Sequence, residues 1–291
     1  MARIAMVGPG AIGGAVAAWL CDSGRHEVTL CARRPLPGLE VLTPEKTIAV
    51  QPRVVTDPRE AKPVDWILVA TKAYDAPGAA AWFGGLAGGA TRVAILQNGL
   101  DHRERFAPYI DASRLVPVIV TIGCERTASG QIRVRDTGRL TVADDAAGRD
   151  FAALFAGTPL PVALTDDFKS VAWKKLCLNA VGVISALVSR PAGVMREPAM
   201  AELGRALARE GIAVGRAEGA RLDDALADEI VAGYQQAPVE AMNSLHADFA
   251  AGRPTELDAR NGIIVRLGHK HGLATPCNQM AVALLEAMTK R

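Results

Sequence analysis

The feature that most constrains the fold is a glycine motif close to the start of the chain, in RIAMVGPGAIGGAVAAWLCDSGRHEVTLCARR. Residues 3–7 form a short apolar run, typical of a buried strand, and Gly8, Gly10 and Gly13 follow it in a GxGxxG spacing. Apolar residues at helical spacing come next, and residues 27–31 read as a second strand. A strand, a glycine turn, a helix and a second strand in this order predict a dinucleotide-binding βαβ unit.

Each glycine has a separate physical role in such a unit. Gly8 permits the tight turn from strand to helix, Gly10 lets a pyrophosphate approach the backbone, and Gly13 lets the helix pack against the strand. The first turn of the helix offers unpaired N–H groups and a partial positive charge. The segment Gly8, Pro9, Gly10, Ala11, Ile12 and Gly13 is therefore the predicted pyrophosphate site. The alternative is a glycine-rich turn without a ligand.

The residues after the second strand bear on which dinucleotide binds. NAD-binding domains usually place an acidic residue there, against the ribose 2′-hydroxyl. This chain has Ala32-Arg33-Arg34 instead, and an arginine suits a 2′-phosphate. Arg33 therefore favours NADP(H), unless these arginines are ordinary solvated surface residues.

The alternation of strands and helices continues beyond the motif. Strands are predicted at 66–72 and 92–99, with a short helix at 75–83 capped by Asp75. Lys72 and Asn98 come at strand ends, where ligands collect in open parallel sheets. Each is equally consistent with a solvated lysine or with an Asn-Gly turn residue. Further strands are predicted at 115–123, 131–138, 139–145 and 159–167.

The character of the sequence changes at Asp167, after which apolar residues recur at helical spacing. We therefore expect an α/β protein, with a Rossmann-type NADP-binding domain over 1–166 and an all-helical substrate and catalytic domain over 167–291. The active cleft is expected between the two domains. The predicted helices are Lys169–Val188, Ala199–Gly219, Asp223–Tyr234, Val239–Ala251, Thr255–Gly272 and Asn278–Lys290.

Composition argues against several classes of function. The formal net charge is only +2 and the arginines are scattered, so no nucleic-acid-binding face or basic membrane patch is indicated. The five cysteines are odd in number and show no metal-ligand spacing. These features predict a cytoplasmic protein with free thiols and no metal, nucleic-acid or membrane site.

The segment WKKLCLN, residues 173–179, carries the first candidate for chemistry. On a helix, Lys175 and Asn179 are four residues apart and share a face, whereas Lys174 points about 100° away. A lysine in a cleft can donate a proton to a carbonyl oxygen as a hydride arrives. The alternative is a structural asparagine beside a solvated lysine.

A second group of polar residues lies at 243–262. Glu256 and Asp258 are expected in the first turn of a helix that starts after Pro254, which the helix dipole favours. Asn261-Gly262 normally signals a turn, so its place within a predicted helix indicates close approach by another group. Upstream, Asn243, Ser244 and His246 place polar groups near one helix face.

Together these segments resemble the ketopantoate reductase (2-dehydropantoate 2-reductase) family. The resemblance covers nearly the whole chain and rests on GxGxxG, VATKAYD, ILQNGL, WKKLCLN and TELDARNG followed by LGHKHG. The last two segments, in that order, are far more specific than the glycine motif. Enzymes of this family transfer a hydride from NADPH to the ketone of a 2-oxo acid.

The resemblance implies a role for each matching residue. Lys175 would be the general acid, with Glu256 orienting substrate or cofactor and giving the lysine a carboxylate partner. Asn98, Asn179 and Ser244 would bind the substrate. The implied cofactor contacts are residues 8–13, Arg33, Lys72, Asn98 and Glu256.

The chain departs from the family pattern at two positions. A second asparagine is expected one helical turn beyond Asn179, where this sequence has Gly182 or Val183, and another after Pro191, where it has Ala192. A site that lacks these amides loses discrimination for a substrate hydroxyl. The alternatives are a reductase of another 2-oxo acid or carbonyl compound, or a non-catalytic NADPH sensor. A homodimer is possible.

Overall fold

The computed structural model describes residues 1–289, which form two compact units. The first contains residues 1–97 and 101–168, and the second contains residues 98–100 together with the described chain from 169 onward. Asn98, Gly99 and Leu100 therefore belong by their contacts to the second unit, although they follow a strand of the first.

The strands all lie in the first unit. In chain order they are β1 Arg3–Val7, β2 Glu27–Cys31, β3 Leu39–Leu42, β4 Thr47–Val50, β5 Arg53–Val55, β6 Val64–Val69, β7 Ala87–Ile95, β8 Leu115–Pro117, β9 Ile119–Val120, β10 Gly123–Arg126, β11 Ile132–Asp136, β12 Leu140–Ala143 and β13 Val162–Thr165. The main sheet has six strands in the order β5-β2-β1-β6-β7-β8. A four-stranded sheet, β10-β11-β3-β4, and a three-stranded sheet, β13-β12-β9, complete the unit.

The main sheet is parallel throughout, which confirms the predicted fold class. Val7 pairs with Cys31 and Val69, and Val69 pairs with Ile95, so these four strands end at one edge. The inner strand β1 is buried on both faces, as a nearly continuous apolar run requires. The glycine motif and the residues after β2, β6 and β7 therefore all follow strands that end at this edge.

Five helices accompany the sheets: α1 Ala11–Asp22, α2 Ala76–Ala80, α3 Phe83–Leu86, α4 His102–Phe106 and α5 Ala146–Leu154. The helix predicted at 75–83 is divided between α2 and α3. Asp75 occupies the N-cap position of α2, but its side chain makes no capping hydrogen bond. The position of the cap is as predicted, but the capping hydrogen bond is absent, and Oδ2 of the carboxylate lies 4.0 Å from Nη1 of Arg33.

The second unit is helical, as predicted. Its helices are α6 Phe168–Val181, α7 Val183–Leu187, α8 Pro198–Ala217, α9 Leu226–Gln236, α10 Ser244–Ala250, α11 Ile263–Lys270 and α12 Pro276–Thr289, with α6 starting one residue before the division. Lys290, the predicted end of the last helix, lies outside the described residues. The core of the unit includes the apolar faces of α6, α7 and α8.

The helix predicted at 239–251 begins only at Ser244. The side chain of Asn243 caps α10 by accepting hydrogen bonds from the backbone N–H groups of Leu245 and His246, at 3.1 and 3.0 Å. Upstream, the carbonyl of Val239 accepts a hydrogen bond from the N–H of Gly193. These non-helical bonds and the cap together fix the start of the helix at Ser244.

The helix predicted at 255–272 also starts later. A single π-helical turn covers Asp258–Gly262, closed by a 3.1 Å bond from the N–H of Gly262 to the carbonyl of Leu257, and α11 follows. Glu256 precedes the turn and is not in a first helical turn as predicted. Gly262 leaves room for the Asp258 carboxylate, since a Cβ there would lie 2.7 Å from its Oδ1.

One segment, Phe168–Leu187, is long and apolar enough to cross a membrane by length and composition, with a mean hydropathy of 1.2. However, 61% of that stretch is buried inside the protein. The core helix of a globular protein has the same length and composition, so these two features are weak evidence for a membrane-spanning helix.

Candidate active site

The glycine loop, residues 8–10, connects β1 to α1, and two glycines of the GxGxxG motif are tightly packed. Gly8 has a φ of +86°, and a Cβ there would lie 2.6 Å from Cγ2 of Thr71. A Cβ at Gly13 would lie 2.4 Å from the carbonyl oxygen of Gly8. Both positions therefore require glycine for reasons internal to the fold.

Gly10 differs from the other two glycines of the motif. A Cβ at Gly10 would meet no atom within 4 Å, and no side chain caps the start of α1. The first turn of α1 also contains no acidic residue. The loop thus has an open space beside uncapped N–H groups, which fits the pyrophosphate of a dinucleotide.

A residue that sequence reasoning missed supports the loop. Arg126, at the end of β10, donates a 2.8 Å hydrogen bond to the carbonyl of Pro9 and a 2.6 Å bond to the carbonyl of Gly130. The guanidinium adds a positive charge next to the loop, which complements an anionic ligand. No local motif marks Arg126, because its contact joins positions 117 residues apart.

Arg33 follows β2 and is almost fully exposed. Its Nη1 lies 4.0 Å from Oδ2 of Asp75, with 90% of the arginine side chain exposed. An exposed pair at this distance contributes little energy, so Arg33 can leave Asp75 for another anion. Its role as a 2′-phosphate contact stays a prediction.

The ends of β6 and β7 are tied together by Gln97. Its Nε2 donates to Oγ1 of Thr71 at 2.9 Å and to the carbonyl of Lys72 at 3.2 Å. Arg105 in turn donates a 2.7 Å bond to Oε1 of Gln97. This buried amide fixes the backbone at Lys72 and the start of the Asn98-Gly99 turn, where Gly99 has a φ of +104°.

The second unit brings together side chains from three distant segments. Nδ2 of Asn179 donates a 3.3 Å hydrogen bond to Oδ1 of Asn98, and Nδ2 of Asn98 donates a 2.9 Å bond to Oε2 of Glu256. Glu256 is only 6% exposed. The chain of amides therefore orients a buried carboxylate. These hydrogen bonds explain why α6 carries an asparagine within an apolar segment.

Lys175 lies one turn before Asn179 on α6, as predicted. Burial and the nearby charge of Arg260 lower the pKa of its amine from 10.5 to about 8. Lys174, next to it, is exposed. A lysine with a pKa near neutrality is suited to donate and regain a proton.

The carboxylate partner expected for Lys175 is not found among the described residues. No ion pair joins Lys175 to Glu256, and the carboxylate accepts from Asn98 instead. The amine is thus held by burial on α6 and not by a charge partner. Burial and the charge of Arg260 therefore lower the pKa of the amine without an opposing ion pair.

Ser244 and Arg260 form a contact that the sequence did not reveal. Nη2 of Arg260 donates a 2.7 Å hydrogen bond to Oγ of Ser244. Arg260 is 3% exposed, and Glu256 is among the nearby charges that act on its guanidinium. We call Asn98, Lys175, Asn179, Ser244, Glu256 and Arg260 the polar cluster.

The two positions at which the resemblance expects further asparagines are apolar. Val183 is fully buried and Ala192 is 5% exposed. A side chain at Gly182 would require Tyr234 to move, since its Cβ would lie 2.7 Å from the tyrosine hydroxyl. That hydroxyl donates a 3.0 Å bond to the carbonyl of Leu178, so the space is filled by a satisfied polar group.

Among residues 1–289, no group of three or more His, Cys, Asp or Glu side chains is placed to hold a metal ion. The polar cluster consists of amides, a hydroxyl, one carboxylate and two cations. Such a set suits an anionic organic ligand with a polar oxygen near the lysine.

Two family models match this chain. The family model described as ketopantoate reductase PanE/ApbA matches residues 4–146, and its C-terminal model matches residues 167–289. The chain belongs to the ketopantoate reductase family. It is accordingly an oxidoreductase of the 2-dehydropantoate 2-reductase type, with a dinucleotide-binding fold.

Individual relatives match this chain over nearly its full length. The 2-dehydropantoate 2-reductase of Caulobacter vibrioides is 52% identical and covers 99% of both chains. A ketopantoate reductase structure from Ralstonia eutropha has a TM-score of 0.90 at 29% identity, covering 99% of this chain and 98% of that one. A dimeric ketopantoate reductase from Staphylococcus aureus has a TM-score of 0.89 at 26% identity, covering 99% of both.

Proposed function

We propose that this protein catalyses the NADPH-dependent reduction of 2-dehydropantoate to pantoate, with Lys175 as the general acid. The observation that carries the proposal is a partly buried lysine with a pKa near 8 beside the Asn179–Asn98–Glu256 chain. The relatives named 2-dehydropantoate 2-reductase supply the first choice of substrate.

The cofactor would be held by residues of the first unit. The open space at Gly10 and the uncapped start of α1 fit a pyrophosphate, and Arg33 would pair with the 2′-phosphate that distinguishes NADP from NAD. We also assign cofactor contacts to Lys72, Asn98 and Glu256. When bound, NADPH supplies the hydride.

Lys175 would then protonate the carbonyl oxygen of the substrate. As the carbonyl carbon becomes a tetrahedral alcohol carbon, its oxygen gains negative charge and takes a proton from the Lys175 ammonium. With a pKa of about 8, roughly nine-tenths of the lysine is protonated at pH 7. The neutral amine regains its proton from water, which completes the cycle.

The amides and the carboxylate would orient the substrate. Asn98 donates its N–H to Glu256 and accepts from Asn179, so its orientation is fixed before any ligand binds. Preorganised dipoles of this kind stabilise developing charge without a reorganisation cost. Substrate contacts are assigned to Asn98, Asn179 and Ser244.

A second candidate is the reduction of a 2-oxo acid with a more apolar tail. The observation that favours it is the apolar, buried environment at Val183 and Ala192, where the resemblance expects amides. A pocket without those amides gains nothing from a substrate hydroxyl. The reaction and the general acid would be unchanged.

The test is the rate of NADPH oxidation with 2-dehydropantoate and a panel of 2-oxo acids that have alkyl or aryl tails. Turnover with the highest kcat/KM on 2-dehydropantoate is the expected result. A higher kcat/KM on apolar 2-oxo acids would select the second candidate. Tight NADPH binding without turnover on any of these acids would contradict both.

We further propose that the protein is a homodimer, on the strength of the dimeric relative from Staphylococcus aureus. Light scattering of the purified protein should give twice the chain mass of 30.6 kDa. A mass of one chain at micromolar concentration would contradict this assignment.

A further inference from the structure

The dipeptide Asn261-Gly262 has no part in the proposed function, yet it lies beside the polar cluster. It completes the π-helical turn Asp258–Gly262, which a 3.1 Å backbone hydrogen bond closes. A π-helical turn holds one more residue than an α-helical turn, and such turns occur frequently at functional sites. Glu256 precedes the turn and Arg260 lies within it. An interaction that fixes the turn therefore also fixes two members of the polar cluster.

The side chain of Asn261 joins this turn to α6. Asn261 is completely buried. Its Nδ2 donates a 3.1 Å hydrogen bond to the carbonyl of Ala180 and a 2.9 Å bond to Oδ1 of Asn278. Ala180 directly follows Asn179 on α6, and Asn261 directly follows Arg260 in the turn. One amide therefore connects the backbone beside two members of the polar cluster.

Asn278, in the first turn of α12, extends this connection to α8. It is also completely buried, and its Nδ2 donates to Oε2 of Glu210 at 2.6 Å and to the carbonyl of Leu207 at 3.2 Å. The Glu210 carboxylate accepts further bonds from the backbone N–H groups of Cys277 and Asn278, at 2.8 and 2.9 Å. An ionised acceptor strengthens such hydrogen bonds. We call Glu210, Asn278 and Asn261 the support network.

The bonding of Asn261 indicates a role in fixing geometry. Its Oδ1 is buried and has no hydrogen-bond donor among the described residues. An unpaired buried acceptor is unfavourable, so the two donated bonds have to compensate for it. Each of these bonds holds Asn261 against a different helix, α6 or α12. Buried polar networks of this kind favour one specific arrangement of the elements that they join.

The position of the turn matters because of the charge that it carries. Burial, and after it the charge of Arg260, lower the pKa of Lys175 to about 8. The other charged or titratable groups that act on Arg260 are Glu256, Tyr234 of α9 and Asp248 of α10. A turn that moved away from α6 would weaken the effect of Arg260 and let water reach the lysine. Both changes would raise the pKa of Lys175.

We propose that Asn261 is a positioning residue for the general acid, whose hydrogen bonds hold the π-helical turn and the face of α6 that carries Lys175 in one arrangement. Asn278 and Glu210 support Asn261 from α12 and α8. This inference rests on the proposed function and deepens it, because it adds buried residues that act on the reaction through Lys175.

Three variants remove the support network step by step. Asn261→Leu removes both donated bonds at a similar side-chain volume. Asn278→Ala leaves the bond between Asn261 and α6 in place, and Glu210→Gln keeps the shape but removes the charge. The matched control is Gln235→Leu, because the Gln235 amide on α9 donates a 3.1 Å bond to the carbonyl of Met195 and is not part of the network.

The experiment measures the pKa of Lys175 directly and through turnover. An NMR titration of protein labelled with ¹³C at the lysine ε-carbons gives the pKa, and the spectrum of Lys175→Ala assigns the signal. The pH dependence of kcat for the reduction of 2-dehydropantoate at saturating NADPH gives the second readout. A melting curve for each variant records stability.

The largest change is expected in Asn261→Leu. The pKa of Lys175 should rise from about 8 toward its ordinary value of 10.5, and the basic limb of the pH–rate profile should move to higher pH. We expect kcat at pH 7 to fall about 30-fold, because a small misplacement of a catalytic group can cost about 100-fold. Asn278→Ala should lower kcat about fivefold in the same way. Glu210→Gln should stay close to the wild type, and Gln235→Leu should lower only the thermal midpoint.

A folded Asn261→Leu variant in which Lys175 keeps its wild-type pKa would overturn the proposal, even with a lower thermal midpoint, since a merely structural role affects stability alone. If Asn261→Leu does not fold, an unchanged pKa in Asn278→Ala has the same consequence. The NMR titration requires no turnover. A wild type that reduces no 2-oxo acid would therefore remove the proposed function, whereas a raised pKa in Asn261→Leu would still support Asn261 as the residue that positions Lys175.

Discussion

The glycine loop of the first unit and the polar cluster of the second offer different parts of the chain to a ligand. The loop offers backbone N–H groups and an empty space at Gly10, within one stretch of residues 8–13. The cluster uses side chains contributed by residue 98, by α6 and by residues 244–260. A backbone site depends on the absence of a Cβ, whereas a side-chain site depends on burial and on neighbouring charge.

This difference affects how each region responds to change. In the loop, the N–H groups belong to the backbone, so they remain present when a side chain is exchanged. In the cluster, one altered side chain changes the pKa or the orientation of the others, because the groups share hydrogen bonds and charges. Four substitutions or titrations test this contrast.

The largest effect is expected at Lys175. Lys175→Ala should lower kcat about 1000-fold, since general acid catalysis is worth 10²–10⁴-fold, while the Kd of NADPH stays within about twofold. Steady-state kinetics and fluorescence titration of NADPH measure the two quantities.

The matched control for Lys175 is the adjacent, exposed Lys174. Lys174→Ala should retain wild-type kcat, because its side chain points into solvent. A large loss in Lys174→Ala, or near-normal turnover in Lys175→Ala, would contradict the assignment of the general acid.

The next effect concerns the glycine loop. Gly10→Ala should leave the thermal midpoint almost unchanged, because its Cβ meets no atom within 4 Å, yet weaken NADPH binding about 100-fold by filling the pyrophosphate space. Calorimetric titration and a melting curve separate affinity from stability.

Substitutions at two other glycines serve as controls for Gly10→Ala. Gly84→Ala also meets no atom within 4 Å and should change neither quantity. Gly8→Ala should instead destabilise the fold by more than about 1 kcal/mol, because of its φ of +86° and the contact with Thr71. If Gly10→Ala bound NADPH normally, the pyrophosphate would have to lie elsewhere.

The pH dependence of reduction should reflect the lowered pKa of Lys175. The lysine must be protonated to act as an acid, so kcat should be constant below its pKa of about 8 and fall about tenfold for each pH unit above it. The reverse oxidation needs the neutral amine and should rise over the same range. A reduction rate that stays constant to pH 10 would exclude Lys175 as the titrating acid.

The smallest effect is expected at Arg33, which is exposed. Arg33→Ala should narrow the ratio of NADH to NADPH Kd values about fivefold, equivalent to about 1 kcal/mol. Asp75→Asn should change the ratio in the opposite direction, since it removes the carboxylate that lies 4.0 Å from the arginine. Equal wild-type affinities for NADPH and NADH would contradict the assignment of the 2′-phosphate contact.

Much of the architecture could be predicted from local sequence. The parallel sheet follows from apolar strands that alternate with helices, and α6 follows from an apolar segment whose period places Lys175 and Asn179 on one face. The strands β3, β4 and β5 are not predicted, because strands of three or four residues lack a long apolar run. The late starts of α10 and α11 depend on a helix cap and on a π-helical turn, neither of which hydrophobic periodicity predicts.

The sequence by itself determined the glycine loop, because the glycines that the turn requires lie close together within residues 8–13. Only the tertiary structure decided the charge state of the cluster. Arg260 carries no local signal, yet its burial against Ser244 and its proximity to Lys175 set the electrostatics of the site. Burial and the distances between remote charges arise from packing, and packing joins residues that the sequence keeps far apart.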